Sequence, residues 1–426
     1  MNLRLVFLWL FFAVCGTLKA YVPSDYVAVI DGIRTYIRMP HGADSVCAVL
    51  YCHRNMTEEV LFRSDNFCRQ MDRLGVAMAF IQDGSQNWDV TKGCQERFEK
   101  IMADFASGTG HPEIVAAPVI PFGHSAQATF PWNFAAWNPD RTLCIISFHG
   151  DAPRTNLCGY GRENIEWGRT RNIDGIPGLM IMGEYEWWEA RLLPALAFRL
   201  MYPNSCISFL GDAGRGHFDM SERTADYIAR FIEKSLQQRA GGKTLRKIDP
   251  TCGWLAQRWN PTQQQRALPA PFASYKGCRH DAFWYFDGEM AIWAERRYAE
   301  TLNKQSCWLH FVNADGSLME YHPDRHCKVS ARLVPDEDDT FTVRAVFTDS
   351  LRKSSLSVRD RSIIKVKLMC GPATAVNDST FRIDRSHPTW NEPKRRAKIT
   401  LCAEAPGDDV FKDAVQEIEV TVGERL

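Results

Sequence analysis

The stretch "VIPFGHSAQATF" (Val119–Phe130) decides how this chain is read. An apolar run ends in Gly-His-Ser-Ala and passes at once into Ala- and Phe-rich sequence. Two explanations compete. Either a buried strand turns into a buried helix and Ser125 is an ordinary turn residue, or the turn lifts Ser125 out as a nucleophile. The second use needs a sharp turn with a strained serine backbone, and small neighbours such as Gly123 and Ala126 suit it. Gln127 stands where a G-x-S-x-G elbow would place its second glycine. The motif alone leaves both explanations open.

The flanking sequence alternates strand and helix. "YVAVI", Asp31-Gly32 and "IRTYIRMP" read as a hairpin, because Asp-Gly between β-branched runs favours a tight primed turn. "SVCAVLYC" (Ser45–Cys52) and "VAMAFI" are continuous apolar runs, as expected of strands covered on both faces. "TEEVLFRSDNFCRQMDRLG" carries apolar residues at helical spacing and ends in Gly75. After the quoted stretch come "TLCIISF", "IPGLMIMG", the helix "WEARLLPALAFRLM", the strand "SCISFLG" and the helix "SERTADYIARFIEKSL". The expectation is an α/β fold with a mostly parallel sheet, whose sites lie at the carboxyl ends of strands. Ser125 is at one such end.

Beyond about residue 240 the texture changes. Residues 241–304 read as a Gly-, Gln- and Pro-rich connector with one amphipathic helix over Asp281–Leu302. Residues 305–426 are short alternating strands, the signature of a β-sandwich-like domain. The catalytic part is expected over 21–240. Residues 1–20 have a positive start, a ten-residue apolar run (Leu5–Val14) and a small-polar close, the layout of a secretory signal peptide. Secreted or periplasmic localisation follows as the expectation, with no integral membrane segment after cleavage.

The chain has 426 residues, with Lys+Arg 51 balancing Asp+Glu 51. No basic surplus of the kind nucleic acid binding needs is present. Fourteen cysteines are an even count, but thirteen remain once Cys15 is set aside. Cys252 with Cys278 and Cys370 with Cys402 are possible disulfides, and the pairing is not readable from sequence. No cysteine or histidine spacing suggests a metal, and no cofactor is called for. "HPDRH" (His322–His326) reads as a loop because of Pro323.

Two further stretches bear on Ser125. "IPGLMIMGEYEW" ends a strand in Gly183 and places Glu186 three residues on, with Glu184 and Asp151 as alternative acids. "SCISFLGDAGRGHFDMSERTADYIARFI" places His217 between the last strand and the last helix. With Ser125, Glu186 and His217 in this order and context, the chain resembles the α/β-hydrolase superfamily over about Val27–Leu236. The resemblance is nearest to secreted bacterial serine esterases of the feruloyl/acetyl-xylan esterase and polyhydroxybutyrate-depolymerase type. It implies a catalytic triad of Ser125, Glu186 and His217, acting on an ester substrate such as one carried on a polysaccharide. It implies an oxyanion hole from the Ala126 N–H and an amide of the loop after β-run "AVLYC", Asn55 or Met56. His53, Trp88, His124, Trp187 and Trp188 are the substrate-pocket candidates. A serine peptidase of the same fold, and a non-catalytic binding protein that keeps the fold, are the alternatives.

Overall fold

The computed structural model describes residues 22–423 except 84–87, 154–171, 187–188, 243, 261–265, 300–303, 305–310, 313–314, 316, 318–326, 336–338, 350–356, 359–364, 392–395 and 406–413. The proposed signal peptide, Trp187, Trp188 and the His322–His326 stretch lie outside the described residues.

Strands β1 (Tyr26–Ile30) and β2 (Ile33–Arg38) form the expected hairpin. Asp31 and Gly32 take φ of 49° and 80°, the left-handed pair that a primed turn requires. β3 (Ala48–His53), β4 (Val76–Ile81), β5 (Val119–His124), β6 (Ile145–Phe148), β7 (Pro177–Gly183) and β8 (Cys206–Asp212) complete an eight-stranded sheet of order β1-β2-β4-β3-β5-β6-β7-β8. β2 runs antiparallel to β4, and the strands from β3 to β8 run parallel. These six inner strands are buried along their whole length. Alternate residues face opposite sides: Leu50, Cys52, Met78 and Phe80 join one core, Val49, Tyr51, Ala77 and Ala79 the other.

Helices α1 (Thr57–Arg63), α2 (Asp65–Leu74), α3 (Cys94–Thr109), α4 (Phe130–Trp137), α5 (Glu189–Met201) and α6 (Glu222–Arg239) cover the sheet. The run after Met56 predicts one helix but forms two. Ser64 interrupts it with an extended backbone, and its hydroxyl caps α2 by accepting from the Phe67 N–H at 3.2 Å, the usual work of a serine N-cap.

The connector is more than a linker. β9 (Trp254–Gln257), β10 (Ala270–Pro271) and β11 (Ala282–Tyr285) form a three-stranded sheet, and α7 (Gly288–Ala299) follows. The helix expected from Asp281 therefore begins seven residues later. The aromatic run "AFWY" takes the strand it prefers, and Asp287 starts the helix by accepting from the Met290 N–H. These elements seal the outer edge of β8. The Tyr285 hydroxyl donates to Phe209 O at 2.6 Å, and the Ser208 hydroxyl to Trp284 O at 2.5 Å.

The last part holds β12 (Phe311–Val312), β13 (Cys327–Pro335), β14 (Thr340–Asp349), β15 (Ser357–Val358), β16 (Lys365–Cys370), β17 (Ala373–Ala375), β18 (Thr380–Ile383), β19 (Ala397–Ala405) and β20 (Ala414–Val422). Sheets β13-β14-β18-β17 and β16-β19-β20 enclose one core, with Phe341 and Phe381 facing Ile399, Leu401, Ile418 and Val420. This is the expected all-β unit. Cys252, Cys278, Cys370 and Cys402 are free thiols, so neither suggested disulfide forms. The register sets Thr400 opposite Cys370 and Lys367 opposite Cys402. Cys252 and Cys278 precede β9 and β11, which are antiparallel, so they leave from opposite ends of the pair.

Candidate active site

β5 ends at His124 and the chain turns through a single 3-10 turn, Ser125–Gln127, before α4. Ser125 has φ of 53°. A non-glycine residue in that region is strained and is held there by its surroundings. Gly123 makes the turn possible: a Cβ there would lie 2.1 Å from Gln127 O. The departure at Gln127 is absorbed one residue on. Crowding falls on Ala128, and Gly150 gives way to it, since a Cβ on Gly150 would lie 1.9 Å from Ala128 Cβ.

The Ser125 hydroxyl is 2.7 Å from His217 Nε2, and His217 Nδ1 is hydrogen-bonded to Glu186 Oε2. A carboxylate only accepts, so Nδ1 carries the proton and Nε2 is left to receive one from Ser125. The three side chains come from the loops after β5, β7 and β8, all at carboxyl ends of the sheet. Glu186 also accepts from the Gly183 N–H at 3.2 Å and from Arg191 Nη1 at 3.2 Å. Burial would raise its carboxyl, but His149, His217 and the Gly183 amide outweigh burial and hold it at about 2. Glu184 does something else: its Oε2 accepts from the Gly214 N–H at 2.8 Å and fixes the turn before His217. Asp151 lies against Arg191 rather than His217.

Two further imidazoles hold the His217 backbone. His124 Nε2 and His149 Nδ1 both donate to the His217 carbonyl, at 2.9 and 2.7 Å. His124 is fully buried, and burial, with His149 and His217 nearby, pushes its pKa far below the ordinary histidine value. It is a neutral post under the loop that carries His217. Nitrogens of His124, His149 and His217 lie within 4.8 Å of one another, close enough to share a metal ion. Yet both His217 nitrogens are engaged by Ser125 and Glu186, and His124 Nδ1 faces Asn55 Nδ2 at 3.2 Å. The geometry serves hydrogen bonding.

Glu58 was not singled out by the sequence, and it organises the loop after β3. Its Oε1 accepts from the His124 N–H at 2.8 Å and its Oε2 from the Met56 N–H at 2.9 Å. The Asn55 amide also points at it. Burial raises the Glu58 carboxyl to about 8 against the pull of these amides. The Asn55 side chain donates to His124 O at 2.7 Å, which ties the loop to the elbow. The Met56 and Asn55 amides, expected at the oxyanion, thus face the Glu58 carboxyl group in the resting site. Ala126 is exposed beside Ser125.

The remaining pocket candidates divide. Trp88 is core, 1% exposed, with its ring 4.7 Å from that of Phe134. His53 is buried edge-on against Phe130, its ring centre 4.7 Å away, and burial lowers its pKa to about 4. Neither lines a cleft. The burial of Trp88 follows from apolar partners on α3 and α4, which its Gly-Ser-Gln-Asn approach concealed. His149 is marked in the sequence only as a histidine ending a strand, and Glu58 carries no motif that would have marked it.

An eight-stranded sheet of this order, with a strained serine after β5, a glutamate after β7 and a histidine after β8, has the α/β-hydrolase fold. No protein-family model matches the chain, and no curated protein matches it in sequence. Solved structures are similar to it. A poly(3-hydroxybutyrate) depolymerase, LpqC from Bordetella parapertussis, aligns at 10% identity and a TM-score of 0.35 over 51% of this chain and 91% of its own. Est1E from Butyrivibrio proteoclasticus aligns at 16% identity and 0.33 over 50% and 99%. Poly(aspartic acid) hydrolase-1 from Sphingomonas sp. KT-1 aligns at 9% identity and 0.36 over 50% and 99%.

Proposed function

We propose that this protein is a serine hydrolase that cleaves carboxylic esters through an acyl-enzyme on Ser125. The observation that carries the reading is the hydrogen-bonded chain from Ser125 Oγ through His217 to Glu186 at a strained elbow. Ser125 Oγ attacks the ester carbonyl carbon as its proton passes to His217 Nε2. The tetrahedral oxyanion is met by the Ala126 N–H, and by a loop amide once substrate draws it from Glu58. The intermediate collapses, the C–O bond to the leaving group breaks, and the alcohol takes the proton from His217. Water then attacks the acyl-serine with His217 as base, and the carboxylic acid leaves. Glu186 keeps the imidazole tautomer and stabilises the imidazolium.

The finer proposal is a secreted enzyme acting on an ester borne by a carbohydrate. It rests on the layout of residues 1–20 and on the resemblance of the catalytic residues, and Trp88 no longer supports it. Among the described residues no helix is long and apolar enough to cross a membrane. A second reading, a binding protein that keeps the fold, is favoured by one observation: Glu58 engages the loop amides an oxyanion needs.

The test is a rate series on 4-nitrophenyl acetate, butyrate and octanoate, methyl ferulate, acetylated xylan and a peptide anilide. The expected result is turnover of short or aromatic acyl esters that falls at least about 10³-fold in Ser125→Ala. Turnover equal in the variant, or none from folded wild type, overturns the proposal.

A further inference from the structure

The β16-β19-β20 sheet has two faces. The odd-numbered residues of β19 and the even-numbered residues of β20 fill the sandwich core. The other face presents Thr400, Cys402, Glu404 and Glu417, with Cys402 opposite Glu417 in register. By period two this face should be solvated. Instead Thr400 and Cys402 are buried, and Glu404 and Glu417 are half-buried, because the face lies on the loop that carries His217.

The contacts bracket the histidine. Glu417 Oε1 accepts from the Phe218 N–H at 2.9 Å, one residue after His217. Arg215, two residues before it, donates to Glu404 Oε2 at 3.2 Å and to Asp219 Oδ2 at 3.0 Å. Arg215 O in turn accepts from the Tyr185 N–H at 2.9 Å, which couples the histidine loop to the turn bearing Glu186. A carboxylate accepting a backbone N–H gives a stronger bond than a neutral pair. The sheet therefore holds the loop on both sides of the imidazole.

We propose that this face of the C-terminal β unit is part of the active site and that Glu417 is a positioning residue for His217. The proposal rests on the hydrolase reading of Ser125 and His217 and gives the β unit its role. Glu417 fixes the backbone that aims the imidazole, and its carboxylate interacts with His217 electrostatically. The charged and titratable groups around His217 are Glu186 with Arg191, His124, His149, Asp219 with Arg215 and Glu404, and Glu417. Of the carboxylates among them, Glu417 is the one that enters from β20 and touches the residue next to the histidine.

The experiment uses the full chain with Glu417→Gln and Glu417→Ala. Three quantities are read: the labelling rate of Ser125 by a fluorophosphonate, the pH profile of ester hydrolysis, and the titration of His217 by NMR, assigned with His217→Gln. Glu417→Ala is expected to slow labelling by about 10- to 100-fold, the scale of a small misplacement. Glu417→Gln keeps an acceptor for Phe218 and recovers part of that rate. Removing the negative charge disfavours the imidazolium, so its acid limb and the His217 titration move to lower pH. Wild-type labelling in both variants with an unmoved His217 titration overturns the proposal. If Glu417→Ala does not fold, Glu417→Gln decides alone. If Ser125 is unreactive in wild type, the hydrolase reading fails, while a shifted or unshifted His217 titration still supports or overturns the clamp.

Discussion

At the scale of single residues the account depends on which carboxylate orients His217. Glu186 does, and Glu184 holds the preceding turn instead. Glu186→Gln is expected to lower kcat by about 10³- to 10⁴-fold, because an amide supports the wrong tautomer. Glu184→Gln acts through the Gly214 turn and costs far less, as steady-state rates on one ester will show. Glu186 also has a signature in stability. Its folded value of about 2 lies below the ordinary value of about 4.3, so the unfolded chain binds more protons between them. The stability it contributes is complete above about pH 5 and is lost as pH falls toward 2. Glu186→Gln should flatten the acid side of the unfolding midpoint measured against pH. The Ser–acid–His order was legible because each residue lies within five residues of a strand's carboxyl end, where spacing along the chain reflects position in space. The choice between Glu184 and Glu186 was not, since both are two residues apart on one short turn.

At the scale of elements, the link between α1 and the elbow is the feature that sequence could not convey. Glu58 lies in the first turn of α1, yet it is fully buried and gathers the amides of Asn55, Met56 and His124. Glu58→Ala leaves these buried donors without their acceptor, a loss on the order of 3 kcal/mol measured by urea unfolding. Its pH dependence has the opposite sign to that of Glu186. With a folded value of about 8 against about 4.3 unfolded, the folded chain holds a proton the unfolded chain has lost. The contribution of this group to stability therefore falls as pH rises from about 4.3 to 8. Glu58→Gln should remove that decline. Strands and helices of the main sheet were readable from apolar runs and glycine stops. "DAFWYF" was not, because aromatic residues at helical spacing also satisfy a strand, and only docking against β8 selects it.

At the scale of the whole molecule, the parts after α6 are built into the α/β unit rather than appended to it. Asp212, at the end of β8, is fully buried and pairs with Arg297 of α7 at 2.6 Å, while Thr224 of α6 donates to it at 2.6 Å. Arg297→Met leaves that carboxylate without its hydrogen-bonded cation, a destabilisation of about 3 kcal/mol. The double variant with Asp212→Asn should recover much of it in thermal unfolding. The sandwich was legible as alternating strands, but its docking face was not, because an alternating strand looks the same whether its polar side meets water or a second layer. All of this surrounds one claim, that Ser125 is an activated nucleophile. The most direct measurement is to incubate the purified full chain with a fluorophosphonate and locate the adduct by peptide mass spectrometry, beside Ser125→Ala and His217→Gln. The account predicts one adduct on Ser125, absent in Ser125→Ala and strongly slowed in His217→Gln. A folded wild-type protein that stays unlabelled, or a label that persists in Ser125→Ala, would contradict it.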